Sequence, residues 1–263
     1  MRHIVITGST RGIGLGLAKA FLAAECAVTI CGRRSETLDE VRQELQAQYA
    51  KERVHGRVCD VTRYDDVQAL WDDAIAHFNK VDVWINNAGV SHPQDVAWEQ
   101  TVERMHAIVD INILGTMYGA RVAVAGMLAQ RHGAIYNLEG LGSAGRHVRG
   151  TSLYGTTKAA VRYFTDALIN ETKGTPLVVG AIRPGMVMTK LVTDQLDTES
   201  DDWPRAHRVF NLLADRVETV APWIVRRVLA NTKTGVRINW LTGRKVFARF
   251  LLAPFRKRNV FDA

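Results

Sequence analysis

Residues 3–22 read HIVITGSTRGIGLGLAKAFL. His3 to Thr7 is a short apolar, β-branched run of strand character, and it passes directly into Gly8-Ser9-Thr10-Arg11-Gly12-Ile13-Gly14. Beyond the glycines, Leu15, Leu17, Ala18, Phe21 and Leu22 recur at helical spacing. A strand, a glycine turn and a helix in immediate succession form the first half of a crossover in a parallel sheet. Glycines at such a turn let the backbone come close to a pyrophosphate, and the helix N-terminus offers free amide donors and a positive dipole end. A glycine cluster alone also fits a mere tight turn. Its position at the first crossover of a sheet-like pattern favours a dinucleotide site.

The same alternation continues outward from this stretch. Six further strand candidates follow, Ala27 to Cys31, Val54 to Cys59, Val81 to Asn86, Ala134 to Leu138, Leu177 to Ile182 and Val236 to Trp240, with helical patterns such as Leu38, Val41, Leu45 between them. Strict alternation predicts an α/β Rossmann fold: a doubly wound, seven-stranded parallel sheet with right-handed crossovers and helices on both faces. No proline-rich linker or repeat interrupts the 263 residues, so the chain reads as a single domain. Thr189 to Asp215 lacks strand character and mixes charges with Trp203 and Pro204, the pattern of a substrate loop or lid beyond a strand's carboxyl end.

The end of the second strand discriminates between cofactors. An acid there holds the ribose 2′-hydroxyl of NAD, whereas NADP needs room and arginine for its 2′-phosphate. This chain has Cys31-Gly32-Arg33-Arg34, with no carboxylate. Arg33 can meet a 2′-phosphate bidentately and Arg11 supplies a second cation, so NADPH/NADP+ is expected; the bland alternative is a pair of solvated loop arginines.

Composition supports a globular chain, with 47% hydrophobic and 23% charged residues, and excludes a disordered or fibrous one. The net charge of +7 is unevenly placed. From Thr219 to Ala263 there are ten Lys and Arg against one acid, which is +9, leaving 7 − 9 = −2 for residues 1–218. Nucleic-acid binding is not expected, since no recognised module accompanies the charge. Nor does any run approach a membrane span of 18 or more apolar residues. The chain enters strand character at once, without a signal-peptide layout, and so reads as cytoplasmic. Cys26, Cys31 and Cys59 have no metal-ligand spacing and read as reduced core cysteines; no metal is expected.

Tyr154 and Lys158 stand four apart inside the helical pattern Leu153, Ala159, Ala160, Val161, Phe164, Ala167, Leu168. They share a helix face, and a nearby ammonium favours phenolate, which predicts a lowered Tyr154 pKa and a proton donor for a carbonyl oxygen. The spacing is common in helices and gains its weight from company.

That company makes the chain resemble the short-chain dehydrogenase/reductase family over nearly its whole length. The matching pieces are Thr7-Gly8-x-x-x-Gly12-x-Gly14, Asp60-Val61, Asn86-Asn87-Ala88-Gly89, Asn112 in Asn112-Ile-Leu-Gly-Thr116, Tyr154-x-x-x-Lys158 and Pro184-Gly185-x-x-x-Thr189. The resemblance implies a nicotinamide cofactor, a Tyr, Lys, Ser and Asn tetrad, and a homodimer or homotetramer packed through the helices that carry Asn112 and Tyr154. It implies that Asp60 and Val61 hold the adenine, that Asn87 and Ala88 lie along the cofactor, and that Lys158 bonds the nicotinamide ribose. It further implies that Val187 and Thr189 meet the carboxamide and that Asn112 anchors a proton-relaying water to Lys158. For Asp60, Asn87 and Thr189, a helix cap or turn is the bland alternative.

One position departs from the family. Where it usually has Asn-x-Ser-Ser, this chain has Asn137-Leu-Glu-Gly-Leu-Gly-Ser143. Ser143 is the nearest hydroxyl and is expected to orient a substrate carbonyl, against the alternative of a turn serine. Glu139 faces either the substrate or a neighbouring helix. This stretch, Arg183-Pro-Gly-Met-Val-Met-Thr-Lys-Leu191 and Arg237-Ile-Asn-Trp-Leu-Thr242 together resemble the chlorophyll b reductase-like subgroup, which reduces a formyl group on a tetrapyrrole with NADPH.

The expected function is NADPH-dependent reduction of an aldehyde, formyl or ketone carbonyl to an alcohol. The alternative of another class is a non-catalytic NADP(H)-binding sensor or scaffold, motivated by the absent serine. The segment 242–263 reads as a basic amphipathic helix broken near Pro254. It is expected either to lie on an anionic membrane or to pack its apolar face on a partner subunit or the substrate loop with its charges in water.

Overall fold

In a computed structural model, the structure describes all residues except 195–197, 200–202, 254, 256–257 and 262–263. The chain runs β1 (His3–Ile6), α1 (Gly12–Ala23), β2 (Ala27–Gly32), α2 (Ser35–Gln48), β3 (Val54–Val58), α3 (Tyr64–Phe78) and β4 (Val83–Asn86). Then come α4 (Val102–Val109), α5 (Gly115–Ala129), β5 (Gly133–Leu138), α6 (Ser152–Glu171), β6 (Leu177–Arg183), β7 (Val187–Met188) and α7 (Lys190–Thr193). The chain continues through α8 (Trp203–Leu213), β8 (Asp215–Arg216), α9 (Val217–Ala230), β9 (Arg237–Asn239) and α10 (Gly243–Leu252).

Seven strands form one sheet in the order β3-β2-β1-β4-β5-β6-β9, every neighbouring pair parallel. All seven are those read from the sequence. Side chains alternate across the pleat, so β1 sends Ile4 and Ile6 into a core with Leu17, Phe21 and Ile224, and Val5 into the opposite core with Leu70, Trp71 and Trp84. Both faces are therefore covered, α1 packing beside α9 on one and α3 beside α5 on the other. The order reverses between β1 and β4, and ligands of such sheets lie outside the strand ends at that switch point.

Three expectations need correction. The excursion from Thr189 to Asp215 holds helices α7 and α8, and its ends are pinned by a second sheet, β7 parallel to β8, with Val187 opposite Asp215 and Met188 opposite Arg216. Strands of two residues are too short to show a period. Second, the continuous helical stretch Val102–Ala129 is long and apolar enough to cross a membrane by length and composition; here α5 packs on α3 and β5 as a core helix. Third, the cations of the C-terminal segment do not all stay in water, as described below. Cys26, Cys31 and Cys59 are buried free thiols.

Candidate active site

One cleft, about 1570 Å³, runs along the carboxyl ends of the strands. The glycine turn forms one end of it. Gly8 has φ of 62°, and a Cβ there would lie 2.8 Å from the Ala88 Cα, so only glycine lets this turn press against the end of β4. Thr7 Oγ1 accepts the Asn87 and Ala88 amides at 3.0 Å, while Asn87 Nδ2 donates to the carbonyls of Thr7 at 2.7 Å and Gly8 at 3.0 Å. Asn87 thus sews the turn to β4. No side chain caps the first turn of α1, which leaves its amides open toward the cleft. Ser9 and Cys31 lie beneath, where Ser9 Oγ bonds the Ile6 carbonyl and the Cys31 amide.

Arg11, Arg33 and Arg34 are exposed on the rim, and no ion pair holds any of them among the described residues. A crowded glycine turn, an uncapped helix start and three free guanidiniums suit a phosphate-rich dinucleotide. Asp60 lines the cleft, and its Oδ1 accepts from Thr62 N at 3.0 Å and Thr62 Oγ1 at 2.9 Å, the turn role given as its alternative. Val61 is buried against Gly115. Across the cleft, Thr189 faces Gly12, its Cγ2 3.6 Å from where a Cβ would stand, and begins α7; Pro184, Gly185 and Val187 line the same wall, with Gly89 opposite.

Helix α6 carries Tyr154 and Lys158, and buried amides set its position. Trp84 Nε1 donates to Asn86 Oδ1 (2.7 Å), Asn86 Nδ2 to Asn137 Oδ1 (2.8 Å) and Asn137 Nδ2 to Thr165 Oγ1 (2.9 Å), a relay from β4 through β5 into α6. Asn112, fully buried in a π-helical stretch at Asp110–Leu114, accepts from Val90 N at 2.8 Å and donates to Val90 O at 2.9 Å and Thr157 Oγ1 at 3.0 Å. Its side chain fastens α6 to the loop after β4. Sequence reasoning missed His92, buried in that loop, whose Nε2 accepts the Tyr154 amide at 3.1 Å and whose Nδ1 lies 2.6 Å from the Pro93 carbonyl. Nδ1 therefore carries the proton and Nε2 caps the start of the Tyr154 helix. A lone histidine gives no local signal of such a role.

The expected lowering of the Tyr154 pKa is not found. Lys158 Nζ donates to Leu138 O at 3.2 Å and lies 5.6 Å from the Tyr154 ring centre, and burial alone pushes the phenol up to about 12. Desolvation penalises phenolate, and no close partner offsets it. Burial also lowers Lys158 to about 8, opposed by the negative charge of Glu139.

Gly140 packs beside the phenol. A Cβ there would stand 2.5 Å from Tyr154 Oη, so at this residue the usual serine is replaced by bare backbone. Ser143 is 4% exposed and lines the cleft, with its Oγ donating to Gly140 O at 2.7 Å. Its proton is held in the turn, the reading given above as its alternative. Glu139 faces neither substrate nor helix alone. Its side chain is fully buried and pairs with Arg183, and with Arg237 Nε at 3.2 Å, while Arg237 also reaches Asp166 on α6.

A second buried carboxylate lies just beyond the end of α8. Asp215 accepts from Arg249 Nη2 at 2.6 Å, Arg258 Nη2 at 2.7 Å and Trp240 Nε1 at 2.6 Å. The same two arginines take the last carbonyls of α8, Arg258 those of Leu212 (2.8 Å) and Ala214 (2.9 Å), Arg249 that of Leu213 (2.8 Å). Val209, Phe210 and Leu213 of α8 line the cleft. The expectation of tail cations in water fails for Arg249 and Arg258, because a buried acid and open helix carbonyls attract them inward. Pro254, Arg256 and Lys257 lie outside the described residues.

Residues 2–200 match the family model described as short chain dehydrogenase. The chain belongs to the short-chain dehydrogenase/reductase family. Within it, the chain is like proteins named chlorophyll(ide) b reductase. It is 31% identical to the probable enzyme NYC1 of Arabidopsis thaliana over 99% of this chain and 55% of that protein. With NOL of Oryza sativa subsp. japonica it shares 34% identity over 99% of this chain and 78% of that one. The chain thus spans about half the length of NYC1. Both relatives are described as chloroplastic, a compartment other than the cytoplasm expected from the sequence. Among solved structures, the closed form of serine dehydrogenase complexed with NADP+ has a TM-score of 0.78 and 26% identity, covering 91% of this chain and 94% of its own.

Proposed function

We propose that this chain reduces a large, apolar carbonyl compound to the alcohol with NADPH, Tyr154 acting as the proton donor. The observation that carries the reading is the placement of Tyr154 and Lys158 on one face of α6, in the cleft that also contains the glycine turn and the three rim arginines. When bound, NADPH supplies hydride to the carbonyl carbon. Arg33, Arg34 and Arg11 favour its 2′-phosphate, while Gly8 to Gly14 and the start of α1 receive its pyrophosphate. A phenol pushed up to about 12 keeps its proton at neutral pH, where it donates to the developing alkoxide. Lys158, still charged below about pH 8, stabilises the phenolate that remains and bonds the ribose. Asn112 and His92 hold the helix that presents both.

A cleft of about 1570 Å³ exceeds the roughly 300–1,000 Å³ of ordinary ligand sites, which supports a bulky substrate beside the dinucleotide. Likeness to the chlorophyll(ide) b reductases makes a formyl tetrapyrrole the first compound to try. We further propose one domain over residues 1–263 and a homo-oligomer packed through α5 and α6, where Leu128 and Tyr163 are exposed.

Tyr154→Phe tests the reading. The variant is expected to bind NADPH as the parent does and to lose about 10² to 10⁴ in kcat over aldehydes, ketones and formyl tetrapyrroles. Retained turnover overturns the role of Tyr154, and absence of turnover in the parent favours a non-catalytic NADP(H)-binding protein. In fluorescence titrations Arg33→Ala should weaken NADPH and leave NADH unchanged.

A further inference from the structure

Helix α10 is amphipathic in the opposite sense to a helix packed on a soluble body. Its half-buried residues include two cations beside Val246: Arg249 reaches Asp215, and Lys245 Nζ stands 2.9 Å from the centre of the Trp240 ring. Its outward residues are apolar, with Phe247 70%, Phe250 57%, Leu251 64% and Leu252 49% exposed, and Phe255 just beyond at 86%. Steps of three and four residues place Arg244, Phe247 and Leu251 on one outward face. The inward ion pairs fix this orientation, so the apolar face cannot roll inward without stripping Asp215 of a guanidinium. A contiguous exposed apolar patch of this kind marks an interaction surface.

Beside the patch runs a ladder of aromatic and cationic groups. Arg227 lies 5.2 Å over Trp223, Trp223 packs edge-on against Trp240 at 5.3 Å, and Lys245 covers Trp240. Indole rings with arginine and lysine at the boundary of an apolar surface suit the headgroup level of a bilayer. Arg227, beside the ladder, and Arg244, on α10 itself, remain exposed and without an acidic partner among the described residues, so the charge around the face is complementary to an anionic surface. A second copy of the chain fits less well. A helix of 10 residues is about 15 Å long and about 10 Å across, a footprint of roughly 150 Å², against roughly 800 Å² that each copy gives to a stable dimer.

We propose that α10 docks through Phe247, Phe250 and Leu251 on an anionic lipid bilayer, the Trp223 and Trp240 ladder lying at the headgroups. The tail also grips α8, since Phe261 packs among Trp203, His207 and Phe210, so docking sets the lid of the cleft directly behind the lipid surface.

The experiment is co-sedimentation of the full chain with vesicles of phosphatidylglycerol and phosphatidylcholine in equal parts, and with phosphatidylcholine alone. The parent should bind the anionic vesicles, more weakly as salt rises, and bind the neutral ones at least about tenfold less. The double variant Phe247→Glu/Leu251→Glu removes no packed side chain and should keep the parent's melting temperature while losing about tenfold or more in vesicle binding. Failure of the parent to bind anionic vesicles at low salt overturns the proposal. Equal binding by the variant overturns it as well. If light scattering shows that the variant breaks an oligomer while vesicle binding is absent in both proteins, the face is a contact between copies and the bilayer assignment falls.

Discussion

The two ends of the cleft are held together by different physics. On the cofactor side, neutral hydrogen bonds join backbone to short side chains: Thr7, Ser9 and Asn87 bind amides and carbonyls around a turn that only Gly8 can make. At the other end, two buried carboxylates do the work. Glu139 gathers Arg183 and Arg237 just beyond the end of β5, and Asp215 gathers Arg249 and Arg258 just beyond the end of α8. Neutral bonds and steric fit give one rigid shape. Buried ion pairs contribute little net stability, yet removing one partner leaves an uncompensated charge in the interior.

This contrast is most exposed to failure at Asp215. Asp215→Asn is expected to lower unfolding free energy by about 3–5 kcal/mol, read by urea titration, with susceptibility of α8 to protease rising while NADPH affinity stays near the parent's. A smaller loss spread evenly over both ends would break the distinction. Gly8→Ala should do the reverse. Strain at a positive φ and the clash with Ala88 are expected to cost about 1–3 kcal/mol in NADPH affinity and to leave the lid resistant to protease.

The next test is a pH profile. Burial places the Lys158 pKa at about 8, below its ordinary 10.5, so kcat/KM for reduction should fall as pH rises through about 8 and the ammonium is lost. Glu139 is the one charge that raises this pKa. Glu139→Gln should therefore move the falling limb to lower pH, and an unmoved limb would detach the carboxylate from the chemistry. The smallest effect belongs to Ser143→Ala. With its proton already given to Gly140, its removal should reduce kcat/KM by less than about tenfold, the low end for a group acting only through a turn.

The same contrast decides what the sequence made legible. The strands and glycine turn depend on neighbours in the chain: His3 to Thr7 is an unbroken run of strand character over five residues, and Gly8 to Gly14 lies within one turn and one helix start. The carboxylate centres depend on partners far along the chain. Asp215 meets Arg249 and Arg258 at separations of 34 and 43 residues, Glu139 meets Arg237 at 98, and His92 meets Tyr154 at 62. Each such residue looks like a solvated loop charge in isolation, which is why the tail cations were expected in water. Tyr154 and Lys158 were visible as a pair, but their protonation was not, because burial set by the whole cleft outweighed the proximity of the ammonium.

The guanidinium cap on α8 also bears on the order in which the molecule assembles. The carbonyls of Leu212 and Ala214 and the carboxylate of Asp215 are satisfied by Arg258, so during synthesis the end of α8 waits for some 43 further residues before it is closed. The seven-stranded sheet ends at Asn239 and needs nothing from Arg258. The strands and the glycine turn can therefore be complete while the end of α8, which lines the same cleft, still lacks its guanidinium.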